Sequence, residues 1–119
     1  MTDSIINPEE ILAQFVGDYE VAREVIQVFL EDSPNAMVRL REAVRGKDPE
    51  EIRKSAHALK GAASNFSARV ADRGNVLEQM GASGNLQGAE EGLARLEEEI
   101  MELESALTGL MADESFAGA

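Results

Sequence analysis

The sequence predicts an all-α fold, an up-and-down antiparallel four-helix bundle with one or two additional N-terminal helices. Three observations predict it. Helix-opening signals recur along the chain, at Asn7-Pro8, Asp18, Ser33-Pro34 and Asp48-Pro49. Between them, apolar residues recur at spacings of three and four, the period of one helix face. No stretch alternates apolar and polar residues between hairpin turns, as a sheet would require.

Each element has its own justification. Asn7-Pro8-Glu9-Glu10 reads as an N-cap, a proline at the first helical position and acids in the first turn. Gly17 ends that short helix. Asp18 caps a second, whose apolar face is Val21, Ala22, Val25, Ile26 and Phe29. Ser33-Pro34 repeats the cap-then-proline signal, so a new helix is expected over about 34–46, with Met37, Leu40 and Val44 inward and Gly46 as its stop. Asp48-Pro49-Glu50-Glu51 opens a helix over about 49–66 with a near capping box. Its stripe of Ile52, Ala56, Leu59, Ala63 and Phe66 follows one face. A helix over about 69–81 carries Val70, Gly74, Leu77 and Met80, and Gly81-Ala-Ser-Gly-Asn85 reads as a loop. The last helix, about 86–111, has a seam of Leu86, Ala89, Leu93, Leu96, Ile100, Leu103, Leu107 and Leu110. That seam suits a bundle core, with dimerisation as the lesser option. Short connections make neighbouring helices antiparallel. The four helices from 34 onward are expected to form the bundle, with the earlier ones flanking it.

The chain of 119 residues suits one domain, with an ordered core over about 8–111 and a disordered tail over 112–119. It has no cysteine and one histidine, which excludes disulfides, zinc-thiolate sites and multi-histidine metal sites within one chain. No apolar run is long enough to span a membrane. The amino terminus lacks the basic-then-apolar pattern of a signal peptide, so a cytoplasmic location is expected. Met1 and the polar tail favour a free-standing protein. The net charge of -12 argues against nucleic acid and anionic membrane as partners. The charge is segregated. Residues 39 to 73 hold nine of the eleven basic side chains and five acids, whereas residues 86 to 119 hold nine acids and one base. The sole histidine, His57, lies in the basic stretch, which reads either as a mixed solvated surface or as a landing zone for an acidic partner.

His57 belongs to the stripe Arg53, His57, Lys60 and Ser64, rotated about 100° from the core stripe of the same helix. That position leaves it reachable yet close to a packed face. A neutral imidazole nitrogen is a nucleophile, and a free imidazole, with a pKa of about 6.5, is mostly neutral at pH 7. Lys60 could neutralise the oxygens of a transferring phosphoryl group, since that reaction is chiefly positioning and charge stabilisation. Gly61 in mid-helix costs about 1 kcal/mol relative to alanine, and close approach by another protein is a physical reason for it. Ser64 can hydrogen-bond locally, and Asn65 can support the helix end.

The run His57-Ala-Leu-Lys-Gly-Ala-Ala-Ser-Asn65 closely resembles the signature of histidine-containing phosphotransfer domains. The resemblance extends over about residues 8–110. It takes in Val70-x-x-x-Gly74-x-x-Leu77-Glu78, the Phe29…Pro34…Leu40 spacing and the Asp48-Pro-Glu opening. It implies a monomeric bundle that accepts a phosphoryl group from a receiver-domain aspartate onto the histidine Nε2 and passes it to another receiver. Partners would be response-regulator receiver domains and a hybrid sensor histidine kinase. The chain itself would need no cofactor, with Mg²⁺ belonging to the receiver. It also implies a polar side chain on the following helix that holds the other imidazole nitrogen, for which Gln79 is the candidate. One departure is Phe66-Ser67-Ala68 where the family has a glycine, which implies a different backbone path at that turn.

The competing reading is a helical adaptor that binds a protein partner without phosphate chemistry. An autonomous kinase or phosphatase has no support, because no glycine-rich nucleotide loop and no second histidine site exist in the sequence. The chain is thus expected to be a phosphocarrier rather than an enzyme.

Overall fold

The structure, a computed structural model, describes residues 5–114 and 116. Five α-helices follow in order: α1 (Pro8–Gln14), α2 (Tyr19–Arg45), α3 (Pro49–Ala63), α4 (Ala68–Ser83) and α5 (Ala89–Ala112). Helices α2 to α5 form a closed ring in which α3 packs on α2 and α4, and α5 on α4 and α2. Contacts across each pair run in opposite chain directions. Arg41 meets Glu97 while Ser33 meets Glu104, and Arg73 meets Glu99 while Arg69 meets Glu102. The bundle is therefore antiparallel, with α1 flanking it.

The expected caps are present. Asn7 Oδ1 accepts from the Glu9 and Glu10 amides, Asp18 Oδ1 from Val21, and Asp48 Oδ1 from Glu51. Each supplies a partner to an amide that the first helical turn leaves unpaired. The sequence expectation fails at Ser33-Pro34, where α2 continues unbroken for 27 residues. A proline inside a helix forfeits a backbone hydrogen bond and costs about 3 kcal/mol. Burial on both sides outweighs it here. Ile26, Phe29, Ser33, Met37, Leu40 and Val44 form one buried stripe that crosses the proline, and Pro34 itself faces outward. Ser33 is 3 % exposed, and its hydroxyl donates to Glu104 Oε2 at 2.5 Å, so it ties α2 to α5 instead of capping a new helix. One N-terminal helix remains outside the bundle.

Other boundaries move less. Helix α3 ends at Ala63, and Phe66 lies in the turn beyond it, its ring set edge-on against Phe29 at 5.3 Å. Ser67 caps α4 by accepting from the Val70 amide at 3.4 Å. Helix α4 runs on through Gly81 to Ser83, so the expected loop is shorter. Helix α5 starts at Ala89, not 86, because Gly88 holds φ +86°, a left-handed conformation that ends the turn before it. The tail is more ordered than expected at Phe116, which is buried edge-on against Tyr19 at 5.6 Å. Ser115 and residues 117–119 lie outside the described residues.

The α5 seam is used inside the bundle. Leu96, Ile100, Leu103, Leu107 and Leu110 are buried with Leu59 and Leu77. Each such side chain contributes about 1.5–3 kcal/mol relative to full exposure. Among the described residues no helix is long and apolar enough to cross a membrane.

Two glycines set how closely α3 and α4 cross. A Cβ on Gly74 would lie 3.3 Å from the Lys60 Cα, and one on Gly81 would lie 2.6 Å from both the Arg53 nitrogen and the Pro49 carbonyl oxygen. At Gly81 backbone meets backbone with no room for a methyl group. This crossing carries an edge of α4 alongside the exposed stripe of α3.

Candidate functional site

His57 stands two turns into α3 with 65 % of its side chain exposed. Its Nδ1 lies 3.0 Å from Glu78 Oε2 on α4. The other carboxylate oxygen of Glu78, Oε1, is 2.6 Å from Lys60 Nζ. Lys60 Nζ also donates to Asn75 Oδ1 at 3.4 Å. One carboxylate thus bridges the histidine and the lysine, and only 14 % of its side chain is exposed. An ionised carboxylate can only accept hydrogen bonds, so in the neutral imidazole Nδ1 carries the hydrogen. The lone pair then resides on Nε2, the nitrogen with no partner among the described residues, on an exposed ring.

The Glu78 carboxyl is held below the ordinary glutamate value of 4.5, first by the hydrogen bond from Lys60. Burial opposes this, and His57 reinforces it. A carboxyl whose folded-state pKa is depressed contributes stability that is full above its unfolded pKa and is lost as pH falls through the folded value. Acidification below 4.5 is therefore expected to weaken the α3–α4 contact. Glu78→Gln, which cannot titrate, should show a smaller loss of stability over that range in urea titrations. If the variant lost stability as steeply as the parent, Glu78 would not be the source.

The expected site residues fall in different places. Lys60 and His57 are brought together through Glu78. Gly61 is exposed, and a Cβ built on it would meet nothing within 4 Å, so no contact within this chain requires glycine there. The Ser64 hydroxyl donates to the Gly61 carbonyl at 2.8 Å and is spent on the helix end. The Asn65 carbonyl accepts from Gln14 Nε2 at 3.1 Å, which fastens α1 to the end of α3. Gln79 is exposed, and its neighbour Glu78 holds the imidazole instead. The helical register explains the difference. Glu78 lies one turn beyond Gly74, which packs on Lys60, and Gln79 is turned a further 100° away. Glu78 and Asn75 were missed as site residues. Their signal was their place beside Gly74 on the α3-facing edge of α4.

The Hpt domain family model matches residues 24–106. The fold is similar to that of the histidine-containing phosphotransfer protein B from Pseudomonas aeruginosa PAO1. That match has a TM-score of 0.84 at 20 % identity and covers 93 % of this chain and 97 % of the other. It is also similar to the HPT domain of a sensor hybrid histidine kinase from Shewanella. There the TM-score is 0.81 at 18 % identity, with 92 % and 95 % of the two chains covered. No curated protein sequence matches the chain.

Proposed function

We propose that His57 carries the phosphoryl group of a two-component phosphorelay: this chain belongs to the Hpt domain family, whose work is histidine phosphotransfer. The observation that carries the assignment is the hydrogen bond from Nδ1 to Glu78, which fixes the ring and leaves Nε2 as the nucleophile. In the transfer, the Nε2 lone pair attacks the phosphorus of a receiver's aspartyl phosphate. An N–P bond forms, the acyl phosphate P–O bond breaks, and the aspartate leaves as carboxylate. The phosphorylated ring is cationic while Nδ1 keeps its hydrogen, and the Glu78 carboxylate offsets that charge. The reverse attack by a second aspartate discharges the group.

Lys60 serves in two ways on this reading. An ammonium has three donors. Glu78 and Asn75 engage two of them, and the third is available to an oxygen of the phosphoryl group. Ser64 stays a helix-end residue. We place Mg²⁺ and the reacting aspartate on the receiver. What supports this is the chemistry at His57: the nearest carboxylate, Glu78, is already neutralised by Lys60 at 2.6 Å. The chain is then a phosphocarrier holding half of an active site, with receiver domains and a hybrid sensor kinase as partners. The α5 seam, the surface that could have paired two copies, is buried within the bundle, which supports a monomer.

Gly61 separates fold from function. Gly61→Ala should stabilise the protein by up to about 1 kcal/mol, because alanine suits a helix better and the site is open. Gly61→Glu should fold yet slow transfer from a phosphorylated receiver by about tenfold or more, or about 1.4 kcal/mol. Denaturation and transfer assays on the same samples check both. Normal transfer by the glutamate variant would remove the close-approach role. The assignment of His57 is tested by incubating the chain with phosphorylated receivers and asking for an acid-labile, alkali-stable label.

A further inference from the structure

Arg53 opens the α3 stripe that continues through His57, Lys60 and Ser64. It stands one turn before His57, as Lys60 stands one turn after it, so the imidazole has a cation on either side. The crossing with α4 places both. Gly81 lies against the Arg53 backbone, where a Cβ would come within 2.6 Å of the amide nitrogen, and Gly74 lies against Lys60, where one would come within 3.3 Å. Glu78, between these two glycines on α4, holds the His57 Nδ1. Residues four apart on a helix have Cβ atoms about 5–6 Å apart, within the reach of an arginine side chain. Helical side chains also lean toward the helix N-terminus, so a ring at position 57 leans toward the turn that holds Arg53.

The two cations are held differently. Lys60 pairs with Glu78, a carboxylate on another helix that is 14 % exposed. Arg53 pairs with Glu50 on its own helix, a carboxylate that is 58 % exposed, through Nε at 3.1 Å and a second guanidinium nitrogen at 2.5 Å. An exposed pair of this kind contributes little to stability, so the arginine exchanges Glu50 for another anion at little cost. The guanidinium also senses the site. Its pKa is raised first by the hydrogen bond to Glu50 and by the charge of Glu50, and further by the Glu78 carboxylate.

We infer that Arg53 is a second phosphoryl ligand: as Nε2 of His57 takes the phosphoryl group, the Arg53 guanidinium leaves Glu50 and binds the phosphoryl oxygens. The inference rests on the assignment of His57 as acceptor and adds a residue to that site. A phosphoryl group carries about two negative charges on three acceptor oxygens, against a single charge on Glu50. A planar guanidinium engages two of those oxygens at once, whereas the Lys60 ammonium meets them as a point charge. Glu50 is then the resting partner of Arg53, and its carboxylate sets how readily the arginine moves to the ring.

Phosphoramidate tests this without a partner protein. The Nε2 lone pair attacks its phosphorus, a new N–P bond forms, the bond to the donor's own nitrogen breaks, and ammonia leaves. Arg53→Gln should slow this labelling of His57 by about tenfold, or about 1.4 kcal/mol. Glu50→Gln, which frees the arginine, should speed it by about two- to threefold. Both variants break the same ion pair, so a purely structural role would move both rates in the same direction. Arg95→Gln removes an exposed cation from α5, diagonal to α3 in the ring, and should leave the rate unchanged because salt screens a charge at that distance. Urea denaturation of the same samples gives the folded fraction, and rates are compared per folded chain. An unchanged rate in Arg53→Gln would overturn the inference. So would slowing in both Arg53→Gln and Glu50→Gln, or a loss in Arg95→Gln equal to that in Arg53→Gln, which would make net charge alone responsible. A parent chain that phosphoramidate does not label would remove the His57 assignment itself, and this inference with it.

Discussion

Replacing His57 with glutamine is expected to abolish phosphoryl labelling by a charged receiver, to the background of a reaction without this chain. The protein has no other histidine to substitute for it. Glutamine keeps a polar side chain of similar reach but has no nitrogen lone pair able to attack phosphorus. The ring is 65 % exposed, so the fold should survive, with stability changed by no more than about 0.5 kcal/mol. Label counted after gel separation, alongside a denaturation curve, distinguishes lost chemistry from lost structure. Undiminished labelling of the variant would place the acceptor elsewhere.

Gly81→Ala is expected to be the most destabilising conservative change in the site's scaffold. The new methyl carbon would come within 2.6 Å of two backbone atoms of α3, the Arg53 nitrogen and the Pro49 oxygen. Neither can rotate away as a side-chain tip would, so the helices must separate. Overpacking of this kind costs about 1–3 kcal/mol, occasionally more. The better helix propensity of alanine returns about 1 kcal/mol. The net loss, up to about 2 kcal/mol, is a large share of the total for a small domain. Separation of α3 and α4 would also lengthen the contact between His57 and Glu78, so transfer should slow in the fraction still folded. Gly74→Ala meets Lys60 at 3.3 Å and should cost less. Urea denaturation of the two variants gives the comparison, and equal stability of Gly81→Ala and the parent would show that the crossing can relax.

The helices of this fold were legible because caps and apolar spacing are local properties. Asn7, Asp18 and Asp48 do at their helix ends what their sequence positions imply. Pro34 misled because the decisive fact is not local. Ser33 reads as an N-cap until Glu104, far along the chain, is seen to accept its hydrogen bond. The α5 start was displaced by a backbone angle at Gly88 that no spacing rule reveals. At the site, His57, Lys60 and Gly61 could be read from one helix because they share its stripe. Their partner could not, since choosing between Glu78 and Gln79 requires the rotation of α4 against α3. Gly74 and Gly81 set that rotation, and they became informative only once their contacts were known.

The central claim is that Glu78 holds Nδ1 and leaves Nε2 to carry the phosphoryl group. Because His57 is the sole histidine, nitrogen NMR of the chain labelled with ¹⁵N-histidine gives one imidazole spectrum. After phosphorylation by a charged receiver, the account predicts phosphorus coupling at Nε2 and a retained hydrogen on Nδ1. Phosphorus coupling at Nδ1, or a phosphorylated chain whose imidazole shows no coupling, would contradict it.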